Sequence, residues 1–532
     1  MSTIADLKPT SSVKAKPVIL LSLLAAAFLI NLETTMVNVA LPVLVKELHA
    51  TTTQLQWIVD GYNLVFAALL LTMGSLSDRF GRKGMLLGGL AVFGVASISG
   101  GLVTSPDALI ATRAVMGLGA AMTFPATLSI ISNVFTGRKE RAQAIGAWGA
   151  TAGAAIALGP IAGGFLLEHF SWSSIFFAMG PVAAVAFVLV AATVPSSRDL
   201  DAKRSDVGGL ILSAAFMGTI VYTVIEAPTY GWGAPRTIVG YLLAVVLLVA
   251  FVGWERRQGE PMLDVTIFSN LRFSAASGSV TVAFFTLFGF IFLIIQYMQS
   301  VRGWSPLSAG VHTLPVAIAV GVGSVVGTPM AVKVGTKLIA AIGLLSITAF
   351  YFWIGFTLTA TTSYWIIAAQ MVLYGLGLGF TSAPATDSIM GAVSLGKAGV
   401  GSAVNDSTRI LGGTLGVAVI GSVYASVYGS HLGKHLPAAL PSSAGAVAKQ
   451  SVGAAQVVAQ RAASLGHPAI GAAVRAASTD AFMSGLTTAC FVAGAVAALG
   501  FVIAAVFLPA QPPTAMFEKP GSFEGTPVGA AA

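Results

Sequence analysis

Glu33, Asp60 and Arg113 are ionisable side chains set inside stretches that are otherwise almost wholly apolar. An ionised group in a bilayer costs at least ~2.5–3.5 kcal/mol on insertion scales unless it is paired or hydrated. Such residues need a chemical reason to be there, and proton exchange supplies one. An acid beside an arginine can be held ionised, whereas the same acid facing an apolar cavity is driven towards its neutral form. A group poised between those settings can take up and release a proton as its surroundings change. At about 1.5 Å of rise per residue, Glu33 falls roughly 12–14 Å below the outer end of its segment. Asp60 and Arg113 fall roughly 9 Å below theirs, so all three are expected in one layer of one bundle. The structural alternative is a fixed Glu33–Arg113 ion pair with Asp60 at the lipid interface.

The elements that must position these residues follow from composition. Of 532 residues, 56% are hydrophobic and 9% charged, with mean hydropathy +0.86. Soluble domains carry nearer ~25% charged residues. Apolar runs of about 20 residues match the hydrocarbon thickness at 17–41, 54–76, 84–104, 107–132, 141–166, 173–195, 207–227, 236–254, 272–298, 306–331, 336–358, 364–388, 399–428 and 480–508. The reading is an all-α integral membrane protein of fourteen helices whose environment is the lipid bilayer.

The net charge of +8 does not point to nucleic acid, because the basic residues are dispersed among loops and form no stripe. Lys8, Lys14, Lys16, Arg79, Arg82, Lys83 and most later cations fall on one side. Lys46, Arg236, Arg302, Lys434, Lys449, Arg461 and Arg475 fall on the other. The positive-inside rule then puts both termini in the cytoplasm. Cys490 is the only cysteine, which excludes an internal disulfide, a CxxC redox pair and a cysteine zinc site. The first apolar segment lacks a small-residue cleavage pattern and reads as helix one, not a signal peptide.

Enzyme signatures fail on inspection. Gly391-Ala-Val-Ser-Leu-Gly396-Lys397-Ala398 approaches a phosphate-binding loop, but Ala398 stands where a magnesium-binding Ser or Thr belongs. There is no GxSxG elbow, and the six histidines show no metal-ligand spacing. The chain is therefore read as no enzyme. No cofactor is expected, and transport would be driven by an ion gradient or run downhill.

Between the second and third spans, Gly74-Ser-Leu-Ser-Asp78-Arg79-Phe-Gly81-Arg82-Lys83 makes a short basic turn. It resembles the G-x-L-x-D-R-x-G-R-K signature of the major facilitator superfamily. Asn31-Leu-Glu33-Thr-Thr-Met-Val-Asn38-Val-Ala-Leu-Pro42 and Trp57-Ile-Val-Asp60-Gly-Tyr62 resemble the first two helices of its EmrB/QacA-type, fourteen-helix drug:proton antiporters. That group usually carries aspartate where Glu33 stands. Gly146 with Gly159-Pro160-Ile-Ala-Gly163-Gly164 resembles the antiporter motif of helix five, with Ala155 at one usual glycine position. Pro384-Ala-Thr-Asp387 and Asn405-Asp406-Ser-Thr-Arg409 resemble the same group in helices twelve and thirteen. Of these, Asp387, Asn405, Asp406 and Arg409 are candidates for second-half coupling or substrate contact, although Asp406 and Arg409 also have the spacing of a local i,i+3 pair.

The resemblance implies two six-helix halves around a central site, with a cytoplasmic tail at 1–16, a first bundle at 17–195, and a linker with two inserted helices at 196–254. A second bundle at 255–508, carrying an external loop at 430–478, and a tail at 509–532 complete the chain. The external loop reads equally as a helical hairpin or a flexible linker. A weak internal repeat supports the halves: Gly335 and Lys337 match Gly81 and Lys83, and Met371, Gly375 and Gly377 match Arg113, Gly117 and Gly119. The resemblance further implies a bacterial inner-membrane exporter that exchanges protons for hydrophobic, cationic, drug-like compounds. Glu33, Asp60 and Arg113 would couple the proton, and Gly74 to Lys83 would latch the cytoplasmic side. Alternatives are an exporter of an endogenous metabolite, antibiotic or lipid, and a non-transporting membrane sensor.

Overall fold

The computed structural model describes residues 16–198, 206–392 and 398–509. Fourteen of its helical segments are long and apolar enough to cross a membrane. In order they are α1 (Lys16–Glu47), α2 (Thr52–Phe80), α3 (Arg82–Leu102), α4 (Pro106–Val134), α5 (Arg138–His169), α6 (Ser174–Thr193), α7 (Val207–Tyr230) and α8 (Pro235–Glu255). There follow α9 (Leu271–Gln296), α10 (Pro306–Val311) continued by α11 (Leu314–Val334), α12 (Thr336–Thr357), α13 (Tyr364–Gly391) and α14 (Ala398–His435). Two short helices, α15 (Ser442–Ala448) and α16 (Val452–Ser464), precede α17 (Pro468–Phe507). An even number of crossings returns the chain to the face it started from, called here the terminal face; the opposite face is distal. The expected tails lie almost wholly outside the described residues, as do residues 199–205 of the linker.

Four expectations are corrected. The tenth span is not one helix: α10 ends at Val311, and α11 restarts with Pro315 in its first turn, where a missing backbone donor costs least. The last span begins at Pro468, twelve residues ahead of the expected 480, because its alanine-rich distal extension keeps helix propensity after hydropathy falls. Helix α14 likewise runs to His435, not 428. Helix α1 passes through Pro42 to Glu47, so Glu33 lies near its midpoint, roughly 21 Å and not 12–14 Å below its outer end.

The halves repeat their packing. Gly81 and Gly335 end α2 and α11 with φ of 117° and 97°, a region closed to most side chains, so each chain turns directly into the next helix. A Cβ on Gly119 of α4 would lie 2.8 Å from the Gly89 carbonyl of α3, and one on Gly377 of α13 would lie 2.7 Å from the Gly343 carbonyl of α12. Likewise Gly117 admits the Tyr62 carbonyl of α2 against α4, and Gly375 admits the Val316 carbonyl of α11 against α13. Close backbone approach through small residues is how membrane helices pack without a hydrophobic driving force.

Helix α7 rests on the seam between halves: Val221, Val224 and Ile225 cluster with Ala418 of α14 and with Trp57 and Leu64 of α2. Trp57 Nε1 donates to Glu226 Oε1 at 3.3 Å, and Trp232 Nε1 to Ser426 Oγ at 2.9 Å. The external loop is helical and caps the distal face. Its Gln450 carbonyl accepts from the Thr52 amide and hydroxyl of the first half at 3.0 and 2.8 Å. On the second-half side, Tyr428 Oη donates to the Ala448 carbonyl at 3.0 Å, and Gln456 donates to the Ser300 carbonyl.

Candidate functional site

Three helices meet at Arg113. The glycine at 117, one turn along α4, lets α4 lie against α2, which brings the guanidinium into the first-half interior, 0% exposed. Its Nη1 donates to Glu33 Oε1 of α1, its Nε donates to the Ile58 carbonyl of α2 at 2.8 Å, and its plane stands 4.5 Å from the Tyr62 ring centroid. Tyr62 Oη in turn donates to the Ile30 carbonyl at 3.3 Å. Glu33 is also fully buried, and its Oε2 has no hydrogen-bond partner among the described residues. One carboxylate oxygen is thus fixed by a charge-assisted bond while the other is open to accept a proton.

Asp60 does not join that pair. It is 0% exposed, away from the lipid interface, and neither carboxylate oxygen has a partner among the described residues. Residues four apart share a helix face, so Asp60 lies on the side of α2 that carries Gln56. That side faces the second half: Gln56 Nε2 donates to the Val417 and Ala418 carbonyls at 3.2 and 3.0 Å, and to Ser422 Oγ at 3.1 Å. The sequence reading gave Gln56 no role. Its position one turn from an intramembrane acid was the available signal.

The glycines of α5 divide by depth. Gly159 packs on Thr35 and Gly163 on Met36, both of α1. Gly164 faces the other half, where a Cβ would lie 2.6 Å from the Pro306 carbonyl and the Leu307 Cα. The Pro160 carbonyl is met by Gly310 of α10. Gly146, nearer the terminal face, has open space beside it, as do Gly149 and Gly153. Gln299 Nε2 donates to the Val39 carbonyl at 2.9 Å, and Ser305 to Glu168 Oε2 at 3.2 Å. These contacts join the halves on the distal side.

The terminal-face signature is held within the first half. Asp78 Oδ1 accepts from Arg82 Nε at 2.7 Å and from Ser129 Oγ of α4 at 3.0 Å. Lys83 Nζ donates to the Ala191 carbonyl at 2.8 Å, and the Arg82 amide to the Ser197 carbonyl at 3.0 Å. Arg79 is exposed beside Phe80, and Gly74 leaves room for Pro125 of α4. Across the bundle, Arg409 Nη2 donates to Thr386 Oγ1 at 3.0 Å, Thr386 donates to Asn405 Oδ1 at 3.1 Å, and Arg409 stands 4.0 Å from Asp406. The i,i+3 pair is therefore loose, and the arginine serves equally to join α14 to α13. Asp387 is exposed.

Those two helical halves, their repeated glycine crossings and the signature turn coincide with a profile match: the Major Facilitator Superfamily profile covers residues 23–417. The chain belongs to the major facilitator superfamily. It is a multi-pass membrane protein of a transporter family. It is 35% identical over 426 residues to the multidrug efflux pump LfrA of Mycolicibacterium smegmatis, covering 80% of this chain and 84% of that one. It is 33% identical over 407 residues to the multidrug resistance protein Stp of Mycobacterium tuberculosis, covering 76% and 75%. Identity to the tetracenomycin C resistance and export protein of Streptomyces glaucescens is 35% over 418 residues, covering 78% and 77%. Among solved structures, an inward-facing, unoccupied bacterial homologue of the human lysosomal transporter Spinster superposes with TM-score 0.64 at 16% identity, covering 94% and 99%. That match concerns the fold alone.

Proposed function

We propose that this protein exports hydrophobic, cationic, drug-like compounds across the bacterial inner membrane in exchange for protons, by alternating access and without a cofactor. The terminal face is cytoplasmic in this reading, with both termini inside, and the conformation described is open towards the cytoplasm. The observation that carries it is the fully buried Glu33–Arg113 pair with one free carboxylate oxygen. Protonation of Glu33 would release Arg113 from its counter-ion, and a buried arginine without that partner favours a different arrangement of α1, α2 and α4. Asp60, unpaired among the described residues and beside the inter-half seam, would be the second proton carrier. The relatives' names, which speak of multidrug resistance, efflux and export, support the cargo class.

The test is purified protein in liposomes with an imposed pH gradient. Accumulation of a lipophilic cation against its own gradient, with matching proton movement, is the expected result. Flux indifferent to the pH gradient would overturn proton coupling, and absence of flux would favour a sensor. Export of a self-made antibiotic by the same machinery is the second reading, favoured by the resemblance to the tetracenomycin C resistance and export protein of Streptomyces glaucescens.

A further inference from the structure

The external cap encloses a space that the transport reading leaves unused. Gly466, at φ 87°, folds α16 back against α17, and the two touch at Gly471, where a Cβ would strike the Ala459 carbonyl. Beside that crossing the facing side chains are alanines, Ala463 of α16 with Ala472 and Ala476 of α17, too short to fill the gap. A cavity of about 830 Å³ results, bounded on its third side by the turn between α12 and α13 at Leu358 to Ala360. That turn is pinned: the Thr359 carbonyl accepts from Tyr297 Oη at 2.7 Å, and the Ala360 carbonyl from Arg302 Nη1 at 3.2 Å.

The polar groups of the lining are unevenly answered. Asp480 Oδ2 is hydrogen-bonded to His431 Nε2 of α14 at 2.7 Å. Arg475 and Thr479, four residues apart and so on one face of α17, both line the cavity, and neither side chain has a hydrogen-bond or ion-pair partner among the described residues. Arg475 is the one cation in that lining. Every connection between helices on the distal face belongs to the described residues.

We propose that this cavity binds a soluble amphiphilic anion from the distal side, its carboxylate or sulfate held by Arg475 and Thr479 and its short apolar body by the alanines and Met483. A guanidinium and a hydroxyl one turn apart offer an anionic group several donors, those of the arginine charge-assisted. A concave, mainly apolar space of about 300–1,000 Å³ with a few polar groups is the usual form of a small-molecule site. A bilayer lipid fits less well, because the lining of α17 from Pro468 to Thr479 precedes the apolar run near 480 and stands outside the hydrocarbon layer. The bound anion touches both the cap and the α12–α13 turn, and so fastens the cap to the second half. This inference needs nothing from the transport reading.

The experiment is photo-crosslinking of the full-length protein, in phosphatidylcholine nanodiscs, with a diazirine-bearing octanoate whose attachment points are mapped by mass spectrometry. Octanoate, octylamine and phosphatidylglycerol serve as competitors. Label should fall on α16 and on residues 468–483 of α17, and octanoate should displace it. In Arg475→Gln the octanoate concentration needed should rise about tenfold, the worth of one charge-assisted hydrogen bond. Arg475 is exposed, so the fold should tolerate the change. Ala476→Trp fills the cavity while leaving the arginine in place, and it should abolish labelling there. Octanoate should raise the melting temperature of wild type, as any ligand of the native state does, and that of neither variant. Asp480→Asn should bind octanoate as well as wild type or better, since it removes the one like charge in the lining. Labelling that survives Ala476→Trp, or displacement indifferent to Arg475→Gln, would overturn the site. Stronger displacement by octylamine, or loss of binding in Asp480→Asn, would replace the anion with a cation, and displacement by phosphatidylglycerol would replace the soluble ligand with a bilayer lipid.

Discussion

Gln56 of α2 and Ser422 of α14 meet at 3.1 Å across the boundary between the two halves, and the same amide also donates to the Val417 and Ala418 carbonyls. The two N–H groups of one buried amide, shared among three acceptors of α14, hold the distal side shut one turn from Asp60. Replacing Gln56 with leucine leaves Ser422 and two carbonyls without that donor at a cost of about 1–3 kcal/mol. The population should shift roughly tenfold towards a state open at the distal face. Spin labels at Thr53 and Ser430, in a chain whose Cys490 is replaced by alanine, should report a longer distance in the variant.

Glu33→Gln is expected to abolish drug-induced proton release while downhill cargo exchange survives. The amide keeps the size of the acid but binds no exchangeable proton. Arg113→Met, the residue at the matching place in α13, should also fail, and Arg113→Lys should retain partial activity because charge persists without the planar fork. A double-mutant cycle on cargo affinity should show strong coupling between positions 33 and 113; strict additivity would refute the pair as a unit.

Asp60 and Arg113 should behave oppositely in a stability assay. Arg113→Met leaves a buried carboxylate without its cation, a loss of about 3–5 kcal/mol. Asp60→Asn removes an acid that has no partner among the described residues, so the melting temperature should hold or rise even as coupled transport is lost. A large destabilisation by Asp60→Asn would mean that the carboxylate has a partner in the folded protein.

The two ends of the helix-five motif should separate in the same manner. Gly146→Ala enters open space and is expected to be nearly silent. Gly164→Val drives side-chain atoms into Pro306 and Leu307, and overpacking of about 1–3 kcal/mol should reduce efflux about tenfold by obstructing external closure. Drug-resistance growth assays with matched expression distinguish these outcomes.

Asp78 binds Arg82 and Ser129 of its own half, and among the described residues no partner of it lies in the second half. As a latch it would act only when that side closes. Asp78→Asn should then slow turnover more than it weakens cargo binding, measured by single-turnover flux against equilibrium affinity.

Much of this arrangement was legible because membrane insertion is demanding. Apolar length alone located the spans, and the expense of an intramembrane charge singled out Glu33, Asp60 and Arg113. The turn at Gly81 and its counterpart at Gly335 could be matched by spacing. What sequence concealed depends on rotation about helix axes: Glu33 and Asp60 sit on different faces of the first half, and no linear pattern reports which neighbour each face meets. Gln56 was missed since a neutral amide carries no insertion penalty large enough to stand out.

Helix α17 continues for 40 residues without a break, a rod of about 60 Å whose distal third supports the external cap. Rigid over that length, it acts as a lever. A tilt of the second half by about 10° would carry the far end sideways by roughly 10 Å, more than the hydrogen bonds of the cap to Thr52 could follow. Rocking of the bundle and release of the cap are therefore one mechanical event, and a ligand or antibody that clamps the cap from outside would stall the transporter without entering its pore.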